Sequence, residues 1–371
     1  MTEHDVLVVG GGVHGCAVAL ELAKRGRSVT VLEKSVPGAE ASGAAAGILG
    51  PHLECEDDGP FLQLCRHSLE LYPEWVADLE GRSGVDVELV PCGGLLVALD
   101  DEEREELNSR SRLLRGLDVA HVLLDGDAVR AREPGLSDAV VGGLLIDGER
   151  RAEPRSIMRA LSISARRAGV AFVSETVLGL ERRDGGVCVR TAAGERVGQD
   201  VVLAAGAWSS AVPGSGLPAG SVQPARGQIV LLQFATPPVS SVVFSHRGYV
   251  VPRDDGRLFC GSTLEFEGFR KEVTAAGLRS ILDLAITLVP SASSAPVVDS
   301  WAGLRPWTED QLPLIGRGAY DGLWLATGHY RNGILLAPAS ATCLAATMCG
   351  DAPGMPLDAF GAGRLGVGLT D

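Results

Sequence analysis

Residues 5–34, DVLVVGGGVHGCAVALELAKRGRSVTVLEK, decide the fold of this 371-residue chain. The run at 5–9 is continuously apolar and ends in glycines, which is typical of a buried strand. Residues 16–26 then repeat apolar side chains at helical spacing until Gly26, and residues 28–34 supply a second strand. Strand, helix and strand within about thirty residues predict a βαβ unit, whose parallel strands need helices on both faces of the sheet.

The turn between the first strand and the helix carries the spacing Gly10-x-Gly12-x-x-Gly15. Gly10 is expected to make the tight turn, Gly12 to let the backbone approach a pyrophosphate at the helix N-terminus, and Gly15 to let the helix pack closely. Glu33 ends the second strand, 23 residues after Gly10, where a carboxylate can accept hydrogen bonds from a ribose hydroxyl. The pattern predicts a dinucleotide cofactor. The acid disfavours NADP, while FAD and NAD both remain open.

Length, charge and cysteine spacing restrict the class of protein. The chain is longer than one hydrophobic core usually supports and is 46% hydrophobic, so two domains are expected. A net charge of -14 without any Lys/Arg-rich block argues against a nucleic acid partner. The eight cysteines are scattered without a C-x-x-C pair, which predicts reduced thiols and no zinc site.

Neither the amino terminus nor the longest uncharged stretch predicts targeting to a membrane. Residues 1–15 begin with acidic side chains, and their apolar run is broken by glycines, so they lack the layout of a secretory signal. The stretch at 333–350 contains Pro338 and is at the lower length limit for spanning, so a buried helix is expected. We therefore expect a cytoplasmic protein without a membrane partner.

Two kinds of sequence alternate along the chain. Residues 61–80 read as a helix with a break or kink near Pro73, and α/β-like sequence returns near residue 150 and again at 321–348. Strand-like runs that suit an antiparallel sheet dominate 228–268. The alternation predicts two domains, each assembled from non-contiguous segments.

Five further stretches, in this order, carry a resemblance to a known family. They are ASGAAAGIL at 41–49, VLAAGAWS at 202–209, GYVVPR at 248–253, GLRPWTEDQLPLIG at 303–316 and LATGHYRNGILLAP at 325–338. Together with the glycine turn, the set resembles the glycine oxidase branch of the D-amino-acid oxidase-like FAD oxidoreductases, a branch that includes the thiamin-pathway enzyme. The resemblance extends over essentially the whole chain.

The resemblance implies an α/β plus α+β fold, with a Rossmann-like FAD-binding domain and an antiparallel-sheet substrate domain. The FAD-binding domain is expected to comprise 1–80, 146–215 and 300–371, and the substrate domain 81–145 and 216–299. Some relatives attach flavin through a cysteine in the stretch that matches 301–316, and this chain has no cysteine there. FAD is therefore expected to bind noncovalently.

The resemblance also implies which residues surround the cofactor. The small side chains at 44–48 would run along the isoalloxazine, where a flat ring needs close backbone approach. A helix beginning at GILLAP would direct its positive N-terminal end to the flavin pyrimidine. The expected FAD-binding residues are Gly10, Gly12, Val13, His14, Gly15, Glu33, Lys34, Ser42, Ala45, Ala46, Gly47, Ile48, Val177, Ala205, Gly206, Trp208, His329, Tyr330, Arg331, Asn332, Gly333 and Ile334.

Three side chains are expected to contact the substrate. By resemblance Arg305 holds a substrate carboxylate, which suits the planar fork of a guanidinium, and Tyr249 donates a hydrogen bond to the same group. Arg331 is expected to reach the substrate from the loop beside the flavin. His52, Glu54 and His246 are weaker candidates.

The family reaction transfers a hydride from the α-carbon of a small amino acid to flavin N5, and dioxygen then reoxidises the flavin. We expect a small amino acid and dioxygen as partners, and a homo-oligomer. Two alternatives remain open: a dehydrogenase of the same fold that passes electrons to a quinone or carrier protein, and a flavin- or NAD-binding protein without oxidase chemistry.

Overall fold

A computed structural model describes residues 4–54 and 57–367 of the chain. In chain order its strands are β1 His4–Val9, β2 Val29–Glu33, β3 Ile48–Leu49, β4 Val90–Pro91, β5 Gly94–Ala98, β6 His121–Asp125, β7 Gly142–Ile146, β8 Arg150–Arg151, β9 Ala171–Ser174, β10 Val177–Arg183, β11 Gly186–Thr191, β12 Gly194–Leu203, β13 Gln223–Gln233, β14 Val242–Ser245, β15 Gly248–Pro252, β16 Arg257–Gly261, β17 Val297–Trp307, β18 Leu314–Arg317 and β19 Leu323–Thr327. The α-helices are α1 Val13–Lys24, α2 Ala41–Ala44, α3 Pro51–Glu54, α4 Pro60–Ser83, α5 Asp101–Gly116, α6 Gly126–Arg132, α7 Pro154–Arg167, α8 Ala275–Leu288 and α9 Ala337–Cys349.

The first sheet has a parallel centre. Strands β12, β1, β2 and β9 run parallel in that order, and β19 continues the parallel pairing on the other side of β12. The β10–β11 hairpin and β18 add antiparallel pairing. Helix α1 packs against α7 and α9, and α4 packs against the same two helices. Their side chains share one core with β1 and β2, and a second core lies on the opposite face of the sheet.

The second sheet is almost entirely antiparallel. Its strand order is β17-β13-β16-β15-β14-β5-β7-β6, and only the β5–β14 pair is parallel. Helices α6 and α8 contribute Val129 and Ile281 to the core on one face, while α5 contributes Leu107 to the core on the other. A small sheet of β3, β8 and β4 lies at the crossing of the chain between the two large sheets.

The structure confirms the predicted fold class and corrects two details of the predicted helices. Helix α4 continues through Pro73, whose side chain is on an exposed face, so the expected break is absent. Regular helix after the GHYRNG stretch begins at Ala337, four residues later than expected, because a 3-10 turn at Tyr330–Asn332 and a further turn precede it. The predicted boundary between the two domains at residues 299 and 300 falls inside β17, a strand of the second sheet. The domain boundaries themselves stay a prediction.

Residues 333–350 were predicted to form a buried helix, and the structure has the buried helix α9 within them. Within the described ranges, no helix combines the length and the apolar composition that crossing a bilayer requires. Helix α9 is instead buried by neighbouring protein, with Ala339, Ser340 and Ala341 fully enclosed.

The glycine turn generates a test of the fold. A Cβ at Gly15 would overlap the carbonyl oxygen of Gly10, which is backbone and cannot rotate away. Gly15→Ala is therefore expected to lower the free energy of unfolding by about 1–3 kcal/mol, the usual cost of overpacking. Urea denaturation of the purified protein measures this change.

Gly81, in helix α4, is the matched control. A Cβ there would meet no atom within 4 Å, so Gly81→Ala is expected to raise the free energy of unfolding by about 0.5–1 kcal/mol. A Gly15→Ala protein as stable as the parent would contradict the proposed close packing of α1.

Candidate active site

A deep cavity of about 360 Å³ opens where the first sheet meets the second. Its floor is formed at the carboxyl ends of four neighbouring parallel strands, by Gly10 after β1, Glu33 ending β2, Ala205 after β12 and Thr327 ending β19. Its opposite wall comes from the second sheet and includes Tyr249. Ligands of open α/β sheets bind at this edge, and the volume is within the usual range for ligand pockets.

The glycine turn allows helix α1 to begin directly at the cavity. Gly10 has a φ of 105°, and a Cβ there would be 2.5 Å from the carbonyl oxygen of Ala204, so the position requires glycine. Gly12 precedes the first helical residue in extended conformation, and the nearest atom to a Cβ there would be the Ser42 hydroxyl at 3.3 Å. Gly15 does not line the cavity and packs behind the turn. The backbone at Gly12 is therefore open to a ligand.

Two side chains hold this turn. Glu33 accepts hydrogen bonds from the Gly11 amide, at 2.7 Å, and from the Ser35 amide, at 2.9 Å. The Ser42 hydroxyl accepts from the Val13 amide at 2.9 Å. A carboxylate has about four acceptor positions, so Glu33 retains capacity for ribose hydroxyls.

The small-residue segment at 44–48 is fixed from behind. Gly47 has a φ of 78°, and a Cβ there would overlap the carbonyl oxygen of Ala152. The fully buried guanidinium of Arg253 donates to the Ala46 carbonyl at 2.7 Å and pairs with Glu153 at 3.0 Å. A positioned backbone is thereby presented to the cavity without large side chains.

The loop at 328–332 is a strained turn. Gly328 and Tyr330 both have positive φ, 77° and 46°, and the left-handed region is uncommon for tyrosine. The Asn332 amide donates to the His329 carbonyl at 3.0 Å, which closes the turn. Such strain clusters at functional sites, and here it turns Tyr330 and Arg331 toward the cavity.

Arg305, on β17, is a cation at the cavity without an acidic partner. Its guanidinium donates to the Ser262 hydroxyl at 2.6 Å and to the Thr263 carbonyl at 3.2 Å. Within the described ranges it makes no ion pair with a carboxylate. The side chain fits because Gly227, on the neighbouring strand, has no Cβ in its place. The arrangement leaves a positive charge available to an anion in the cavity.

Tyr249, on β15, supplies a neutral donor near the same point. Burial raises the pKa of its phenol, and the nearby Arg305 opposes this increase without cancelling it. The hydroxyl therefore stays protonated at neutral pH. Gly261 leaves room for the ring edge, and Phe244 stacks on the ring with centroids 5.9 Å apart.

Arg331 has a different environment from Arg305. Its guanidinium is 3.7 Å from the Glu54 carboxylate, and its side chain is 40% exposed. Both residues line the cavity, and Glu54 comes from helix α3 at the mouth. The pair is partly exposed, so it is expected to contribute little to stability.

His14 and His329 form a buried parallel stack at the cavity. Their ring centroids are 3.3 Å apart and their planes differ by 11°. Within the described ranges neither ring nitrogen of His14 bonds to a side chain, and the Gly333 backbone lies beside the ring, while His329 Nε2 is 3.1 Å from the Ser340 hydroxyl. Burial lowers the pKa of His14 to about 3, and burial and His14 together lower the pKa of His329 well below its ordinary value. Both rings are neutral at physiological pH.

The structure brings together almost every residue that the sequence nominated. All the expected cofactor and substrate residues except Gly15 line the one cavity, and among the weaker candidates Glu54 lines it while His52 and His246 do not. Their binding roles stay predictions. Sequence reasoning missed Arg253, Ser262, Gly227 and Gly261, whose importance arises from contacts between distant segments. Of these four residues only Arg253 lay in a stretch that the sequence analysis had singled out, because it ends GYVVPR.

The residues fit an FAD molecule. The open backbone at Gly12, the free acceptor positions of Glu33 and the small side chains at 44–48 form a continuous path along the cavity. Buried polar atoms usually have partners, and the ring nitrogens of His14, which bond to no described side chain and have only the Gly333 backbone beside them, suit a polar ligand in the cavity.

The histidine stack generates a prediction about acid stability. Because the folded pKa of His14 is below the unfolded value of about 6.5, the unfolded chain binds more protons, and stability decreases as pH falls from 6.5 toward 3. The cost is about 1.4 kcal/mol per pH unit for each such histidine. His14→Phe keeps an aromatic ring in the stack and is expected to reduce the loss of unfolding free energy between pH 6.5 and 5 by about 2 kcal/mol, measured by urea denaturation.

His246→Phe is the control for this experiment, because that side chain is 53% exposed and lies outside the stack. It is expected to leave the pH dependence as in the parent. If the His14→Phe protein loses stability on acidification as steeply as the parent, the buried neutral stack is not the cause.

Comparison with known proteins agrees with this geometry. Residues 5–347 match the family model DAO, FAD dependent oxidoreductase. The glycine oxidase of Geobacillus kaustophilus is 35% identical over 92% of this chain and 92% of its own. A crystal structure of glycine oxidase from Geobacillus kaustophilus superposes with a TM-score of 0.93 and 34% identity, over 97% of this chain and 98% of that one.

A further relative is longer than this chain. The bifunctional protein ThiO/ThiG of Trichormus variabilis is 37% identical over 92% of this chain, which spans 52% of that protein. The family match over 5–347 agrees with the glycine turn and with the cavity lined by Arg305 and Tyr249. The chain belongs to the DAO family of FAD dependent oxidoreductases and is an FAD-dependent amino acid oxidase of the glycine oxidase type.

Proposed function

We propose that the protein oxidatively deaminates glycine or another small amino acid or amine, such as sarcosine or D-alanine, with dioxygen as the electron acceptor. The products would be an imino acid that hydrolyses to glyoxylate or its counterpart, ammonia and hydrogen peroxide. The observation that carries the proposal is the Arg305 guanidinium at the cavity, which hydrogen-bonds only to the neutral Ser262 and Thr263 acceptors in the described structure. A substrate carboxylate would complete its coordination.

Arg305 and Tyr249 would fix the carboxylate end of the substrate. A guanidinium matches a carboxylate with two parallel hydrogen bonds, and the protonated Tyr249 phenol would donate a third. Bound FAD would supply the redox chemistry, taking up a hydride from the substrate α-carbon and passing the electrons to dioxygen. The protein would contribute orientation by holding the C–H bond in place.

The charge around the amine end suits a neutral amine. His14 and His329 are neutral at physiological pH, and Glu54 is paired with Arg331. If the amine binds without its extra proton, hydride transfer needs no side-chain base. Arg331 and Glu54 at the mouth would then discriminate among substrates, and one methyl group in such a pocket changes preference by about 1–3 kcal/mol.

Two broader assignments accompany this proposal. The similarity to the ThiO/ThiG protein supports a role in thiamine biosynthesis. Self-association also remains a prediction, made from the family resemblance.

Anaerobic mixing of the FAD-loaded protein with glycine, sarcosine, D-alanine and D-proline tests the reaction. Rapid loss of the oxidised flavin absorbance with glycine or another small amine, and its return with peroxide on admitting air, is the expected result. Bleaching followed by slow recovery in air would contradict the oxidase and favour transfer to a carrier or quinone. No bleaching by any of the four would remove the substrate proposal.

Arg305→Ala tests the carboxylate role. Loss of a bidentate charge-assisted interaction is expected to raise the concentration needed for half-maximal bleaching by about 10²–10³-fold. Arg317→Ala is the control, because that guanidinium is paired with Asp321 and is largely exposed. Flavin content is measured in both variants, and similar substrate responses in the two would contradict the assignment.

The cysteines predict a noncovalent cofactor. Within the described residues no cysteine lines the cavity, and the nearest in sequence to the glycine turn, Cys16, is fully buried with its pKa raised to about 12 by burial. Heat or acid precipitation is therefore expected to release yellow flavin into the supernatant. Flavin fluorescence that stays with the chain on a denaturing gel would overturn this.

A further inference from the structure

A second cavity lies behind the segment that borders the cofactor cavity. It is a more open depression of about 540 Å³, bounded by helix α7, by residues 36–44 and by Lys271 in the loop before α8. Four basic side chains line it and, among the described residues, no aspartate or glutamate does. The basic residues are Arg155, Arg159, Arg166 and Lys271. In a chain with 47 acidic and 33 basic residues, such a lining is unusual for a solvated face.

The three arginines share one face of helix α7. Their spacing of four and then seven residues brings them onto one side, separated along the axis by about 6 Å and about 10 Å at 1.5 Å per residue. All three are exposed. The cavity floor between them includes the apolar Met158 and Ile163.

These arginines have little to neutralise them. Arg155 donates to the Gly43 carbonyl at 3.2 Å and lies over the Trp301 ring, and Arg166 lies over the Phe172 ring. Within the described ranges Arg159 makes neither a hydrogen bond nor an ion pair, and none of the three pairs with a carboxylate. Lys271 differs, because it is 2.9 Å from the Glu40 carboxylate. Three guanidinium groups are thus available to anionic oxygens.

We propose that this cavity binds a small polyanion, a molecule with several phosphate or carboxylate groups spaced by a few ångströms. Guanidinium forks match both kinds of group, and a concave site with one sign of charge concentrates its counter-ion. The site is separate from the substrate position, because Arg305, Tyr249 and Arg331 do not line it.

Titration calorimetry on the FAD-loaded protein tests the proposal, since bound FAD keeps the probes out of the cofactor position and the Arg159/Arg166 variants below separate binding at the basic cavity from binding at Arg305. Inorganic tripolyphosphate and citrate are the two probes, which distinguish phosphate from carboxylate chemistry. Saturable binding of at least one probe, weakened by added salt, is expected. Arg159→Ala/Arg166→Ala is expected to weaken that binding about tenfold or more, because charge-assisted hydrogen bonds are lost.

Arg112→Ala/Arg115→Ala is the matched control, since it removes the same charge from two exposed helical arginines outside the cavity. It is expected to bind like the parent. An Arg159→Gln/Arg166→Gln protein, which keeps long side chains, repeats the measurement if the alanine variant is unstable. Absence of saturable binding at millimolar probe, or equal weakening in the test and control variants, would overturn the site.

Discussion

The fully buried guanidinium of Arg253 joins segments that are distant in sequence, and the geometry of the cofactor cavity depends on it. It follows β15 of the second sheet, pairs with Glu153 at the start of α7, and donates to the Ala46 and Ala152 carbonyls at 2.7 and 3.2 Å. Removing one partner from a buried charge is costly, because the other charge remains in a medium that cannot solvate it. The second sheet, helix α7 and the segment beside the flavin position are therefore held in one arrangement.

A comparison of Arg253 with Arg305 separates a structural cation from a functional one. Both belong to the second sheet or its immediate end, and both approach the cavity region. Arg253 is fully buried and has a carboxylate partner, whereas Arg305 faces the cavity and contacts only the neutral oxygens of Ser262 and Thr263 in the described structure. The charge of Arg253 is therefore balanced by a described carboxylate, and that of Arg305 is not. The contrast supports substrate binding at Arg305 more strongly than its position in a motif does.

The sequence predicted features whose cause is local. The βαβ unit, the left-handed backbone of Gly10 and the close contact of Gly15 with the Gly10 carbonyl arise within a few residues, which is why the turn could be assigned from its spacing. Which side chains would meet across the cavity was not predictable in the same way. The pairing of Glu54 with Arg331, and the space that Gly227 leaves for Arg305, depend on how segments 277 and 78 residues apart are packed. The late start of α9 has the same origin, because the strained turn at Tyr330 comes from its tertiary setting and not from helix propensity.

The two cavities share a wall that includes the segment at 43–44, and hydrogen bonds to its carbonyls restrain its backbone. Ala44 lines both cavities, the Trp301 indole donates to its carbonyl at 3.0 Å, and Arg155 donates to the Gly43 carbonyl at 3.2 Å. Both donors, Arg155 to Gly43 and Trp301 to Ala44, also line the basic cavity. An anion bound to Arg155 would compete with the Gly43 carbonyl for the same guanidinium. The segment that borders the cofactor cavity through Ala44 is therefore held from the side of the basic cavity.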